Sequence, residues 1–240
     1  MRRMTSFVLA AITAVFVLAG FVKGMIGLGL PTVAMGLLAL VMTPAQAAAL
    51  LVVPSCLTNV WQAMGPELTP LVRRLWPMLL GLCAGVWAGG ARASIGLGAV
   101  LALYGVLGVT SVEFSVPAWL EPWLSPLIGV ITGVVTAATG VYMIPSAPYL
   151  QAIGLKTDGL VQALGLSFTV ATVALATTLV QDGALQISVA GASVAALAPA
   201  LLGMVLGQWV RARVRSGTFR ICFFAGSLLL GAHLALRGLI

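Results

Sequence analysis

Residues 20–31 read GFVKGMIGLGLP, which combines four glycines, a proline and a lysine in an otherwise apolar stretch. Each glycine weakens a helix by roughly 0.5–1 kcal/mol, and Pro31 cannot lie in the interior of a regular helix. The stretch therefore predicts a helix that stops and restarts. Because the free N–H groups at the start of a half-helix carry partial positive charge, such a break binds anions, and Lys23 is a candidate counter-charge.

A second stretch of the same kind, GVITGVVTAATGVYMIP, covers residues 129–145. Its threonines, Thr132, Thr136 and Thr139, are spaced to lie along one stripe of a helix. Gly140 and Pro145 follow them and interrupt the apolar run. A threonine hydroxyl can donate to an oxyanion or can join two helices, an interaction worth roughly 0.6 kcal/mol. Helix packing explains any one of these residues, whereas the pair of segments favours a substrate site.

Two further apolar segments carry polar side chains that can complete this site. PSCLTNVWQ at 54–62 has its polar residues mostly on one helical face, and LVQALGLSFTVATVALATT at 160–178 is its counterpart later in the chain. Their polar residues are Ser55, Thr58, Asn59, Gln62, Gln162, Ser167, Thr169 and Thr172. The predicted substrate site comprises Lys23, Gly24, Gly27, Gly29, Pro31, Thr58, Asn59, Gln62, Thr132, Thr136, Thr139, Gly140, Pro145, Gln162 and Thr169.

The composition defines the elements that must position these residues. Of 240 residues, 61% are hydrophobic and only 7% are charged, whereas soluble domains carry about 25% charged residues. The apolar runs are long and continuous, as spanning helices require, and do not alternate as barrel strands do. The chain is therefore predicted to be an all-α, polytopic transmembrane bundle. In such a bundle Lys23 either faces inward or extends its ammonium group to the membrane surface.

The charged and chemically reactive residues exclude several classes of function. Carboxylates occur only beside proline, glycine or polar residues, at Glu67, Glu113, Glu121, Asp158 and Asp182, so no intramembrane proton or cation relay is predicted. Cys56, Cys83, Cys222 and His233 lack the spacing of metal ligands. The sequence has no HExxH, GxSxG or Walker motif and no paired carboxylates. We therefore predict no catalytic site, no cofactor and no nucleic-acid partner.

Ten apolar elements are predicted, at about 6–23, 30–42, 45–64, 72–91, 94–112, 123–140, 141–155, 158–180, 187–210 and 218–238. Those at 30–42 and 141–155 follow the glycine- and proline-rich breaks and are expected to be half-helices. About eight full crossings remain. The whole chain forms one transmembrane domain, in which a polar connector at 113–122 separates residues 1–112 from residues 123–240. The basic residues do not settle the orientation of the termini.

The two parts of the chain resemble each other. PMLLGLCAGVW at 77–87 matches PALLGMVLGQW at 199–209 at a spacing of 122 residues, and GFVKG at 20–24 matches GVITG at 129–133 more weakly. Each of these segments contains glycines four residues apart, a pattern that lets helices approach closely in lipid. The chain is therefore interpreted as a tandem duplication. Whether the repeats are parallel or inverted is left open.

These segments, together with TPAQAAALLVVPSCLTNVWQA at 43–63 and LKTDGLVQALGLSFTVATVAL at 155–175, resemble the TauE/SafE family of sulfite exporter-like permeases. The resemblance covers nearly the whole chain and places the paired motifs at Gly20–Pro31 and Gly129–Pro145. Leu28 and Leu30 interrupt the denser glycine cluster that is frequent in the family. The resemblance implies a carrier in the inner membrane of the cell for sulfite, thiosulfate, sulfoacetate or related anions.

The combined prediction is a permease that carries a small anion by alternating access, with one repeat rocking against the other. Its partners are the anionic substrate and the lipid bilayer, and a homodimer is compatible with the sequence. The alternatives are a carrier of another small organic solute, such as a carboxylate or an amino acid, an anion channel, and a membrane protein that transports nothing. The direction of transport and the coupling ion are left open.

Overall fold

The computed structural model describes residues 2–26, 29–89, 115–155, 157–183, 187–211 and 213. These residues form eight helices: α1 (Arg2–Ile26), α2 (Leu30–Leu38), α3 (Pro44–Ala63), α4 (Leu68–Gly89), α5 (Glu121–Thr139), α6 (Ser146–Ala152), α7 (Thr157–Gln181) and α8 (Ile187–Arg211). No strand occurs in the described residues. The predicted all-α class is therefore confirmed, whereas the elements predicted at 94–112 and 218–238 lie outside the described residues.

Among the described residues, four helices are long and apolar enough to cross a membrane. They are Leu68–Gly89, Glu121–Thr139, Gly159–Gln181 and Gly191–Val210, and a shorter apolar stretch covers Leu9–Met25. These helices and the composition show that the chain is a membrane protein. The predicted total of about eight crossings stays a prediction.

Both predicted breaks separate a long helix from a short one. α2 has nine residues and α6 has seven, so each is too short to span a bilayer. α2 begins after Gly29, whose φ of 103° favours glycine, and has Pro31 in its first turn. α5 ends at Gly140, which has a φ of 69°. The half-helix predicted at 141–155 is shorter than expected because residues 141–145 do not join it.

Two helix pairs pack through their glycines. α1 lies against α8, where a Cβ atom added at Gly20 or Gly203 would collide with the backbone oxygen of the facing helix. α4 lies against α5 in the same way, through Gly81, Gly85, Gly129 and Gly133. In both pairs, a later residue of one helix contacts a later residue of the other, so the paired helices are parallel. Backbone contacts this close are possible only without side chains.

The described core consists of two hydrophobic clusters. The first cluster contains Val22 of α1 and buried residues of α4, of the segment 142–153 that includes α6, and of 163–174 in α7. The second cluster contains Val141 and buried residues of α1, of α2, of 47–51 in α3, of the end of α7, and of α8. α3 and α7 pack against each other; α3 contributes to the second cluster and α7 to both. The two helices are antiparallel, because Gln62 bonds to Val161 whereas Asn59, earlier in α3, bonds to Thr172, later in α7.

Candidate functional site

Lys23 lies in the last turns of α1 and points into the protein, with a side chain that is only 5% exposed. Its Nζ atom donates to Thr58 Oγ1 at 3.0 Å and to Asn59 Oδ1, both on α3. Thr58 Oγ1 in turn donates to the carbonyl of Pro54 at 2.7 Å. The sequence allowed Lys23 either to face inward or to extend to the membrane surface. The structure shows the inward-facing orientation.

Asn59 joins this lysine to the second half of the chain. Its Nδ2 atom donates to Tyr142 Oη at 3.2 Å and to Thr172 Oγ1 at 3.4 Å. Tyr142 belongs to the segment between α5 and α6, and Thr172 belongs to α7. The ring of Tyr142 packs on Phe168, with the centroids 5.0 Å apart. One fully buried amide therefore contacts three different parts of the fold.

The residues of this polar group are called the Lys23 cluster below: Lys23, Ser55, Thr58, Asn59, Tyr142 and Thr172. All six are buried. The Ser55 hydroxyl lies on the same side of α3, near Tyr142, and has no partner at hydrogen-bonding geometry. A buried hydroxyl without a partner costs roughly 1–3 kcal/mol. The cluster therefore has spare capacity to donate a hydrogen bond.

The charge of Lys23 is not balanced by a carboxylate in the described part of the chain. The ion pair found there joins Arg74 to Glu121, with Nε and Oε1 2.7 Å apart, and lies on α4 and at the start of α5. Burial of an ion without a counter-ion costs several kcal/mol even after the protein relaxes. Two neutral acceptors reduce that cost for Lys23 but supply no counter-charge.

The two breaks contact each other close to this cluster. Thr32, in the first turn of α2, donates from Oγ1 to the sulfur of Met143, 2.8 Å away in the second break. Met35 of α2 packs on Gly140, where a Cβ atom would lie 2.8 Å from the methionine methyl group. The segments that follow α1 and α5 therefore meet inside the protein.

The remaining predicted residues occupy other positions. Gln62 donates to the carbonyl of Val161 at 3.0 Å, and Gln162 accepts from the N–H of Glu67 at 3.1 Å, so these amides join α3 and its following turn to α7. Gly24 packs on α8. Three threonines donate to carbonyls of their own helices, namely Thr136, Thr139 and Thr169. The hydroxyl of Thr132 is buried and has no hydrogen-bond partner. The two breaks contain the predicted residues Gly29, Pro31, Gly140 and Pro145. Gly27 lies outside the described residues.

Tyr142 is absent from the predicted site, although the structure places it in the Lys23 cluster. Its position inside GVYMIP was the available signal, because a phenol in a helix break can reach a buried polar group. Ser55 and Thr172 were recognised as polar positions but not included in the predicted site.

A groove of about 410 Å³ lies on the other side of Thr172. It runs between α3 and α7 and is lined mainly by apolar residues, with Cys56, Thr172, Thr177 and Gln181 among its members. The indole of Trp87 donates to Thr177 at 3.1 Å beside it. Thr172 therefore contacts both this groove and the buried amide of Asn59.

Comparison with known protein families identifies the chain's relatives. The family model described as "Sulfite exporter TauE/SafE" matches residues 12–234, nearly the whole chain. The chain belongs to this family. No curated protein and no solved structure matches it significantly. TauE/SafE proteins are membrane transporters, so the Lys23 cluster is a buried polar site inside a membrane transport protein.

Proposed function

We propose that this TauE/SafE protein is a multi-pass permease of the cell (inner) membrane that carries a small anion through the Lys23 cluster. The observation that carries the proposal is the buried ammonium group of Lys23, which has hydrogen-bond acceptors but no carboxylate partner among the described residues. A charged side chain in the middle of a bilayer costs about 2.5–3.5 kcal/mol or more and is generally functional. A bound anion would supply the missing counter-charge.

The neighbours of Lys23 suit an oxyanion. An ammonium group has three N–H donors, and the described contacts use two of them. Ser55 offers a further hydroxyl. Thr58 and Asn59 hold the lysine in position, while Tyr142 and Thr172 orient the Asn59 amide. The third N–H of Lys23 and the Ser55 hydroxyl are therefore the donors that would bind substrate oxygens.

The family description points to the class of anion. Sulfite, thiosulfate and sulfoacetate present several oxygens around sulfur and fit a site that offers a cation and hydroxyl donors. A sulfur oxyanion or organosulfonate is therefore the proposed substrate. An organic carboxylate could use the same donors. An amino acid is disfavoured, because no described carboxylate lies near the cluster to receive its ammonium group.

The arrangement of helices supports alternating access as the mechanism. Substrate sites of many secondary transporters lie between repeats, at helices broken near the middle of the membrane. Here two broken segments meet beside the cluster. α3 and its proposed counterpart α7 are antiparallel, as they would be in an inverted repeat. The two-repeat organisation, with residues 1–112 and 123–240 as the repeats, is part of this proposal.

The test is anion flux through purified protein in liposomes, with the matched variants Lys23→Gln and Arg73→Gln. Each variant removes one positive charge, but Arg73 is exposed on α4 and lies outside the cluster. We expect saturable sulfite counterflow in the parent protein and in Arg73→Gln, and a loss of at least tenfold in Lys23→Gln. Equal flux in both variants would exclude Lys23 as the counter-charge.

Thermal stability gives a second readout of binding. A ligand at a hundredfold excess over its dissociation constant stabilises a protein by about 2.7 kcal/mol. Sulfite, thiosulfate or sulfoacetate should therefore raise the melting temperature of the parent protein but not that of Lys23→Gln. If no anion stabilises the protein and a cation or neutral solute does, the anion proposal is wrong.

A further inference from the structure

The tightest helix contacts at glycines in the described part of the chain join helices from different halves of the sequence. α4 belongs to the first half and α5 to the second, yet Gly85 and Gly133 bring their backbones into direct contact. α8 belongs to the second half and α1 to the first, and their backbones are likewise in direct contact at Gly203 and Gly20. Such contacts leave no side-chain layer that could allow the helices to slide. Each pair therefore behaves as one rigid unit.

The hydrophobic clusters extend these pairs into two larger bodies. The first body, defined as α4, α5 and α6, shares the first cluster with 163–174 of α7 and with Val22 of α1. The second body, defined as α8, α1 and α2, shares the second cluster with 47–51 of α3, with the end of α7 and with Val141. Each body thus contains one long helix pair and one short half-helix. Part of α7 packs on the first body, and 47–51 of α3 and the end of α7 pack on the second.

Polar contacts strengthen each body internally. In the first body, Arg74 of α4 makes two 2.7 Å hydrogen bonds to Glu121 of α5 and a 3.1 Å bond to the carbonyl of Ile153, just after α6. In the second body, Ser193 of α8 bonds to the backbone of α3, where it accepts from Val53 N–H and donates to the carbonyl of Leu50. These contacts hold each half-helix or attached helix to its own body.

Among the described residues, contacts between the bodies are fewer and lie near the site. The apolar ones are Met35 on Gly140, Val22 of α1 in the first cluster and Val141 in the second cluster. Thr32 of the second body donates to Met143, at the tip of the first body. Lys23 belongs to the second body and Tyr142 lies between α5 and α6 of the first, and Asn59 of α3 joins them. Hydroxyl, amide and ammonium groups can exchange these partners for water or a substrate at little net cost.

From this arrangement we infer that transport moves the first body against the second body, so that Lys23 and Tyr142 separate and approach during each cycle. The moving units are then mixtures of the two sequence halves, not the halves themselves. α7, which contributes residues to both clusters, and α3, which packs against α7, form the shared axis. The inference rests on the proposed transport function, because it assigns the motion that would expose the Lys23 cluster to each side in turn.

Cross-linking distinguishes this motion from rocking of the sequence halves. In a background in which Cys56, Cys83 and Cys222 are replaced by alanine, one variant carries Thr32→Cys with Met143→Cys, between the bodies. The matched control carries Arg74→Cys with Glu121→Cys, which lies within the first body but joins the two sequence halves. Mercuric ion, a small thiol-bridging probe, is then added, and mass spectrometry measures the bridged fraction.

We expect the bridge between the bodies to reduce sulfite flux at least tenfold, with recovery after addition of dithiothreitol. The bridge at 74 and 121 should leave flux within twofold. Normal flux with the first bridge, inhibition by the second, or failure of the 32–143 pair to bridge would each overturn the inference. If the alanine background and the parent protein carry no anion at all, the transport proposal fails instead.

A second measurement tests the motion without any substrate. Spin labels at Leu80→Cys and Leu202→Cys report on α4 and α8, whereas labels at Leu80→Cys and Trp123→Cys report on α4 and α5; all three positions are exposed. In the liposome-embedded protein, we expect the distance distribution across the bodies to be at least twice as wide as the one within the first body. Equally narrow distributions for both pairs would overturn the inference.

Discussion

At the residue scale, Lys23 illustrates how a membrane protein holds a buried charge. The ammonium group is satisfied by one hydroxyl and one amide oxygen of the neighbouring helix. Neutral acceptors keep the lysine in place without cancelling its charge. A carboxylate in place of the Asn59 amide would form an ion pair with Lys23 and would compete with an anionic substrate for the ammonium group. The absence of such a partner among the described residues is therefore the basis of the proposed selectivity.

Tyr142 gives a prediction at this scale. Tyr142→Phe removes the hydroxyl that accepts from Asn59, so the amide that positions Lys23 loses one of its two described acceptors. We expect roughly 1 kcal/mol lower stability and a fivefold or larger rise in the KM for sulfite in the liposome assay. Tyr149→Phe is the matched control, because it also removes one buried hydrogen bond, to Ser125, but lies outside the Lys23 cluster.

The two variants should therefore have similar thermal stabilities and different values of KM. If Tyr149→Phe raised the KM as much as Tyr142→Phe does, the effect would reflect general loosening of the fold and not the site. Tyr142 also shows what the local sequence does not determine. The break that contains it was predicted, but the direction of its side chain depends on how the chain turns between α5 and α6.

At the element scale, glycines determine which helices pair. The repeated glycine spacing predicted close helix packing, and the structure assigns α1 to α8 and α4 to α5. The sequence could not identify these partners, because the four segments have the same glycine spacing and any two of them could pack together. The choice depends on the shape of the helix surfaces and on the connections between them.

The glycines at these contacts are predicted to be intolerant of substitution. Gly203→Ala places a Cβ atom against the backbone oxygen of Val17, which cannot move without separating α1 from α8. We expect a loss of at least 2 kcal/mol, in the range of overpacked cores, seen as a lower melting temperature and reduced yield of folded protein.

Gly191→Ala on the same helix is the control for this prediction. A Cβ atom at Gly191 meets nothing within 4 Å, and alanine favours a helix over glycine by about 1 kcal/mol. The Gly191 variant should therefore be as stable as the parent protein or slightly more stable. Equal destabilisation by both substitutions would show that the α1–α8 contact is not tight.

At the scale of the whole molecule, the distribution of charge predicts selectivity between solutes. The described carboxylates, Glu67, Glu121 and Asp182, lie near helix ends, whereas the buried cluster combines one lysine with neutral polar groups. An anion is attracted to that cluster, but the ammonium group of a zwitterion would be buried beside Lys23 without a partner. Like charges at short range in a region of low dielectric constant repel strongly.

Two sulfonates of almost equal size test this prediction. Isethionate carries a hydroxyl group where taurine carries an ammonium group. We expect isethionate to inhibit sulfite flux with a constant at least tenfold lower than that of taurine, which corresponds to about 1.4 kcal/mol. Equal inhibition by the two compounds would contradict a site without an acceptor for the ammonium group.

The sequence by itself determined the class of the protein and the positions of its breaks. A chain with 7% charged residues must bury its helices in lipid, and Gly29, Pro31 and Gly140 interrupt helices through their own backbone geometry. These properties are local and depend on the type of each residue and its neighbours in sequence. The order of the glycine-rich segments was also sufficient for the family to be recognised.

Only the tertiary structure decided that Lys23 faces Asn59, that Tyr142 reaches the same amide, and that α4 pairs with α5. In a soluble protein, hydropathy separates the inner face of a helix from the outer face. In a bilayer both faces are apolar, so the pattern of hydrophobic residues does not show which way a lysine or tyrosine points. That direction is set by the packing of neighbouring helices, which brings residues more than 80 positions apart into one buried site.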